Sequence, residues 1–213
     1  MLQGQTAGRS CVEPLRSSIG VMRRNTNRLV LLGLSLMLTT IARAADEPLD
    51  RARAAVKDLA FELRETLTEA LAQGDPVTAV GACQVLAPRL AQSVAEDAKL
   101  EIRRTALRVR NPDNAPDAFE TRVLEDFAKR VAEGSDPTQL EHHEIVTEDE
   151  SRELRYMKAI PMAEKPCAMC HGKTIAPNLA AEIAKLYPED QATGFAPGEL
   201  RGAFSVRVKL TEN

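Results

Sequence analysis

The sequence predicts an α+β protein with a small antiparallel sheet and its longest helices ahead of most of its strands. Three observations carry this. Across residues 45–73, Ala55, Leu59, Leu63, Leu67 and Leu71 recur every four positions, which is helical spacing. Across residues 203–210, Phe204, Val206, Val208 and Leu210 alternate with Ser205, Arg207 and Lys209, the period of two of a strand. Between these, helical and strand patterns are segregated rather than regularly interleaved, which favours α+β over a parallel α/β sheet.

Each element has its own local reason. Gly74 ends the first helix. Asp75-Pro76 restarts one, with Asp as N-cap and Pro in the first turn. Val80, Cys83, Leu86 or Ala87, and Leu90 share a face of this second helix, so Cys83 is expected to point inward. Pro88 removes a backbone hydrogen bond and is expected to kink the helix about one turn beyond Cys83. Leu100 to Val109 reads as a strand, with Leu107 and Val109 alternating against Arg108 and Arg110, and Asn111 to Pro116 as a loop rich in turn residues. Asp117 to Ala132 is a third helix with Phe119, Val123, Phe127 and Val131 on one face, stopped by Gly134-Ser135-Asp136-Pro137. Glu144 to Thr147 and Glu153 to Ile160 read as two antiparallel strands, Asn178 to Leu186 as a short helix after Pro177, and Ala203 to Leu210 as the closing strand.

The ends of the chain set the compartment. From Met22 the chain runs through Arg23, Arg24 and Arg28 into the apolar stretch Leu29 to Ile41, then Ala42-Arg43-Ala44, the layout of a cleaved export signal. The apolar run is short for a bilayer span of about 20 residues. The expectation is a mis-called extension over residues 1–21, a signal over 22–44 and a single domain over 45–213, exported to the periplasm. Residues 1–44 hold six Arg and one acidic residue, so the formal charge of −3 becomes −8 for the remainder. An acidic chain of that kind is poorly suited to nucleic acid or anionic lipid.

Lys165-Pro166-Cys167-Ala168-Met169-Cys170-His171-Gly172 contains Cys-x-x-Cys-His, the attachment motif of a c-type haem. Two thiols at that spacing can each add to one porphyrin vinyl group, and the adjacent imidazole then faces the iron. A thioredoxin-like pair would open a helix after a strand, whereas this segment follows Pro161 and Pro166. A structural zinc site needs four ligands, and Cys83, His142 and His143 lack the spacing to complete one. With Cys11 in the N-terminal extension and Cys167 and Cys170 used for attachment, Cys83 has no partner left, and is either a buried inert thiol or a functional one.

A wider set of motifs points to a family. Ala82-Cys83-Gln84 with Ala87-Pro88 comes first, then Val109 to Asp117 (VRNPDNAPD) with Glu120, then Arg155-Tyr156 with Ile160-Pro161. Cys167 to Gly172, Tyr187 to Phe195 (YPEDQATGF), Gly198 and Arg201 to Val206 complete the set. With these the chain resembles the c-type haem family proteins with a PAS-like domain, found as exported single-domain proteins and as sensor segments of bacterial signalling proteins. Phe195 stands where a Tyr is common. The resemblance implies a PAS-like antiparallel sheet with long N-terminal helices and one covalently bound haem c. It also implies His171 on one side of the iron and a cysteine, corresponding to Cys83, on the other.

Independently of the resemblance, Met157, Met162 and Met169 are alternative sixth ligands. Met169 lies within the attachment loop, Met157 and Met162 read as core, and His142 and His143 fall in an acidic stretch that reads as a solvated turn. Arg108, Arg110, Arg201 and Arg207 are candidate partners for haem propionates, Arg110 foremost because it enters the Asn-Pro loop. The functional expectation is a periplasmic redox or small-gas sensor with a separate redox or signalling protein partner; the alternative is an electron-transfer cytochrome. An enzyme such as a peroxidase would need an open iron position and a distal acid–base pair, and no residues stand out for it, so a non-enzymatic role is expected.

Overall fold

The computed structural model describes the backbone of residues 27–148 and 151–210, with side chains from Glu47 onward except those of Ala82 and Glu148. The expected extension 1–21 and the basic start of the expected signal lie outside the described residues, and the side chains of the rest of that signal lie outside them too. The chain divides into two compact units, Met1–Ile41 and Ala42–Asn213, and the sheet belongs wholly to the second. Among the described residues no helix is long and apolar enough to cross a membrane.

Four strands, β1 (Glu101–Thr105), β2 (Glu141–Glu148), β3 (Ser151–Pro161) and β4 (Leu200–Leu210), form one antiparallel sheet in the order β1-β4-β3-β2. The helices are α1 (Asn27–Gln73), α2 (Pro76–Ala98), α3 (Ala118–Ala132), α4 (Ala168–His171) and α5 (Pro177–Leu186). The α+β class and the antiparallel sheet are as the sequence predicts. On one face, Ala52, Ala55, Val56 and Leu59 of α1 pack on Ile102, Leu154, Tyr156, Phe204, Val206 and Val208, joined by Leu90 and Val94 of α2. On the other, Val123, Leu124 and Phe127 of α3 pack on Met157, Ala159 and Ala203. Even-numbered residues of β1 and β4 therefore face α1 and α2, and odd-numbered ones face α3.

The helix starts form as their sequences dictate. Asp75 caps α2 by accepting from the Thr78 amide at 2.9 Å, with Pro76 in the first turn. Asp117 and Glu120 close a reciprocal capping box at the start of α3. The helix α2 continues through Pro88 to Ala98, and the buried position on its inner face is Ala87, with Leu86 exposed.

Two expectations are corrected. β1 ends at Thr105, paired with Ala203, and Leu107 is exposed rather than part of a strand. The next residue along β4 is Gly202, where a Cβ would lie 2.5 Å from the Thr105 carbonyl oxygen, so the two chains approach too closely there for any side chain. β2 begins at Glu141, so His142 and His143 lie in a strand and not in a turn; His142 pairs with Met157 and its ring sits 5.9 Å from that of Phe119. The side of β4 that carries Ser205 and Arg207 is covered by α3, which buries Ser205 and brings Arg207 to the α3 cap.

Candidate functional site

The attachment motif is wound into one tight turn. The amides of Cys170 and His171 donate to the Cys167 carbonyl at 3.2 and 2.9 Å, and the Gly172 amide donates to Ala168 O at 3.0 Å. Residues three apart in such a turn lie on one side, so Cys167 and Cys170 share a side of α4. At Gly172 a side chain would run into the Ala168 carbonyl, which accounts for the glycine. The stretch Asp190–Phe195 lies along the turn, with the Gly194 amide on Gly172 O at 2.9 Å and the Phe195 amide on His171 O at 3.0 Å.

This second stretch orients His171. Its Nδ1 is 2.6 Å from the Ala192 carbonyl, which can only accept, so Nδ1 carries the proton and Nε2 keeps a free lone pair. Burial pushes the His171 pKa down to about 3, and the cationic Arg201, Arg110 and Arg104 add to that, against the opposing Ala192 bond. The ring is thus held neutral, in one tautomer, as a ready Nε2 donor.

Cys83, on α2, lies close enough to Cys170 for the two thiols to influence each other's ionisation. Cys170 packs against the cluster of Val80, Leu179 and Ile183, with Val77 alongside, and Cys83 follows Val80 by one turn. Cys83 opens onto a cleft of about 420 Å³ together with Arg104, Asn111, Pro88 and Tyr187. Cys83, Cys167 and Cys170 are all half-buried free thiols. Burial pushes the Cys83 thiol pKa up, with Arg104 and Arg110 pulling against it; burial also raises that of Cys170, again opposed by Arg110.

The other sequence-derived candidates separate cleanly. Met157 is fully buried on the α3 face, across the sheet from Cys83. Met162 is buried with Ala192 and Phe195 beneath Cys167, and Met169 is exposed. His142 bonds Glu144 on β2, and His143 is exposed. Among the described residues no group of three or more His, Cys, Asp or Glu is arranged to hold a metal.

The arginines divide by role. Arg110 Nη2 donates to Cys170 O at 2.6 Å, Asp190 Oδ2 at 3.0 Å and Ala192 O at 3.4 Å, bracing both strands of the turn. Arg108 donates to Gln191 O and Thr193 O and lies 4.1 Å over the Phe195 ring. Arg201 reaches Arg108 O at 3.3 Å. Burial together with Arg110 and Arg104 lowers the Arg201 pKa to about 10. Arg207, by contrast, binds Asp117 on the α3 face and has no part in the site. Sequence reasoning missed Arg104 and Tyr187. The signal for Arg104 was its parity with Ile102 on β1, which turns it toward α2.

Residues 32–209 match the model of a family described as "Tll0287-like: Tll0287". Among solved structures, the fold is similar to that titled the crystal structure of the cyanobacterial heme-protein Tll0287. That likeness has a TM-score of 0.59 and 23% identity, covering 78% of this chain and 98% of that one. No curated protein matches the chain. Since the matched span takes in the sheet, the helices around it and the whole of the site just described, the chain belongs to the Tll0287-like family.

Proposed function

We propose that this chain is an exported c-type cytochrome domain that carries one haem on Cys167 and Cys170, with His171 and Cys83 as axial ligands, and senses redox state or a small gas. The observation that carries the reading is the His171–Ala192 bond, which leaves Nε2 of a CxxCH histidine as a neutral donor. The solved structure sharing this fold is titled a heme-protein, which agrees. The residues present also fit the group chemically: two thiols on one side of α4, a thiol across from them on α2, and arginines whose buried Nε atoms lack partners at Arg110 and Arg201. Export to the periplasm is supported by the basic start, apolar run and small-residue site over residues 22–44. The PAS-like description belongs to the same reading; its support is the strand order β1-β4-β3-β2 with α1 and α2 over one face.

A haem so held supplies a one-electron couple at iron, set low in potential by thiolate ligation. The rest is the work of the chain. His171 is fixed in orientation by Ala192, Arg110 braces the attachment turn, and Met162 and Phe195 exclude water beneath it. Sensing asks that Cys83 be able to let go, and that α2 move with it toward a protein partner. The exposed side chain of Met169, inside the attachment turn, favours a second reading. A cofactor edge close to solvent would suit periplasmic electron transfer between protein partners.

The test is low-temperature EPR of the oxidised protein and of Cys83→Ser, both made in a host that attaches haem c. A low-spin thiolate-type signal that disappears in the variant is expected. An unchanged signal would remove Cys83 from the iron and favour electron transfer; protein without haem would overturn the reading altogether.

A further inference from the structure

Four arginines, Arg104, Arg108, Arg110 and Arg201, gather around His171 and residues 190–195, where Asp190 is already paired with Arg110 at 3.0 Å. Glu101 and Asp113 line the cleft with Arg104 but make no salt bridge to it. Arg104 is exposed, has no hydrogen-bond or carboxylate partner among the described residues, and lines the cleft beside Cys83, where a ligand carboxylate could reach it. Its stem is fixed by β1, whose preceding residue Arg103 is tied to Glu120 on the opposite face. Arg201 spends Nη1 on Arg108 O, and its Nε is buried without an acceptor. An unpaired buried N–H such as Arg201 Nε is costly, and the planar fork of either guanidinium is shaped for a carboxylate.

Arg110 and Arg108 are differently placed. Arg110 Nε also lacks a partner, but its Nη2 serves three oxygens of the attachment turn and its flanking stretch. Arg108 is spent on two carbonyls and the face of Phe195.

We infer that Arg104 and Arg201 receive the carboxylates of the tetrapyrrole carried on Cys167 and Cys170, while Arg110 is a positioning residue that braces the attachment turn. The inference rests on the haem reading and assigns the anion-binding part of that site. It displaces Arg110 from the propionate role that the sequence favours.

The test is spectroelectrochemical titration of haem-loaded wild type, Arg104→Gln, Arg201→Gln and Arg110→Gln across the pH range in which carboxylic acids and histidine titrate. A carboxylate that has lost its cation disfavours the added electron and takes up a proton when one electron is added. Arg104→Gln and Arg201→Gln should therefore lower the midpoint potential and give it a new pH dependence. Arg104→Lys should restore part of the shift, and Arg110→Gln should reduce haem loading without adding pH dependence. Wild-type behaviour in both Arg104→Gln and Arg201→Gln would overturn the assignment, as would a new pH dependence confined to Arg110→Gln. If the Gln variants fail to load, the Lys variants decide through the propionate bending band in resonance Raman spectra. A band moved by Arg104→Lys and Arg201→Lys but not by Arg110→Lys supports the inference, and an unmoved band overturns it. Acetate added to wild type at constant ionic strength separates a free carboxylate from the cofactor's own: a shifted potential would overturn the cofactor source, and an unshifted one supports it. Wild type that carries no haem would overturn the haem reading instead, a result distinct from haem-loaded variants that do not respond.

Discussion

Arg103 grips Glu120 with two bonds, Nε to Oε1 at 3.2 Å and Nη2 to Oε2 at 2.6 Å, tying β1 to the start of α3. Glu120 is only 1% exposed and also accepts from the Asp117 amide at 2.9 Å. Glu120→Gln keeps the shape but removes the charge that pairs with the Arg103 guanidinium. Breaking a fully buried pair costs about 3–5 kcal/mol, and the partly exposed Arg103 head brings the expected loss to about 2–3 kcal/mol. Urea unfolding measures it as a lower midpoint at unchanged slope.

The same cluster makes stability depend on acid. Burial alone would raise the pKa of Asp117 and of Glu120, but hydrogen bonds outweigh it and hold both below the usual carboxylate range. For Asp117 these come from the Glu120 amide, Arg155 and Arg207; for Glu120, from Arg103, Ser205 and the Asp117 amide. The unfolded chain then binds protons more readily than the folded one, so the contribution is complete above the unfolded carboxylate pKa of about 4 and is lost as pH falls below it. The urea midpoint should be level near neutrality and drop in acid, with a shallower acid limb in Glu120→Gln. An equal acid limb in both proteins would place the proton uptake elsewhere.

Tyr156 is buried in the sheet and donates its hydroxyl proton to Glu141 Oε2 at 2.9 Å, where Arg53 also binds. Burial first, then the Glu141 carboxylate, raises the Tyr156 pKa. Tyr156→Phe leaves Glu141 its arginine, so the expected cost is about 1 kcal/mol, the net worth of one hydrogen bond. Thermal unfolding should show a small fall in Tm, and spectrophotometric titration should lose its most alkaline tyrosine.

Gly202 stands where β1 and β4 part. A Cβ there would meet Thr105 O at 2.5 Å and Ala106 Cβ at 3.0 Å. Gly202→Ala should cost about 1–3 kcal/mol, as overpacking does. It should also disturb Arg104, one residue before the strained pair. Hydrogen exchange would show faster amides at Arg104 and Thr105 while those of β2 stay protected.

Much of this was legible because local rules decided it. Asp75-Pro76 and the Asp117–Glu120 box carry their own start signals, and the alternation from Phe204 to Leu210 marks a strand wherever it lies. The Cys167–His171 spacing is legible as a motif, but its winding into a helical turn is not. Length and coverage were not legible. β1 reaches only to Thr105, where it lies against Ala203 and Gly202 of a strand almost a hundred positions later. His142 and His143 join a strand because β3 offers them Tyr156 and Met157 as partners. Arg104 escaped notice because its neighbourhood is made by α2, the Asn111 loop and Tyr187, which no local window unites. Arg110 lies beside the Cys167–His171 turn, but nothing in its own stretch could show that Cys170, Asp190 and Ala192 would occupy its Nη2.

The braces on the attachment turn come from far along the chain. Arg110 reaches Cys170 across 60 residues, and Arg108 reaches Gln191 across 83. Closing such distances is entropically slow and follows the local turns and helices. In a chain emerging from its unfolded state, Cys167 and Cys170 are therefore open to outside reagents until α2, α5 and the Asp190–Phe195 stretch pack around them. Once those segments close, the same thiols are half-hidden. Any chemistry performed on them races against folding, and substitutions that hasten this packing would shorten the interval in which it can occur.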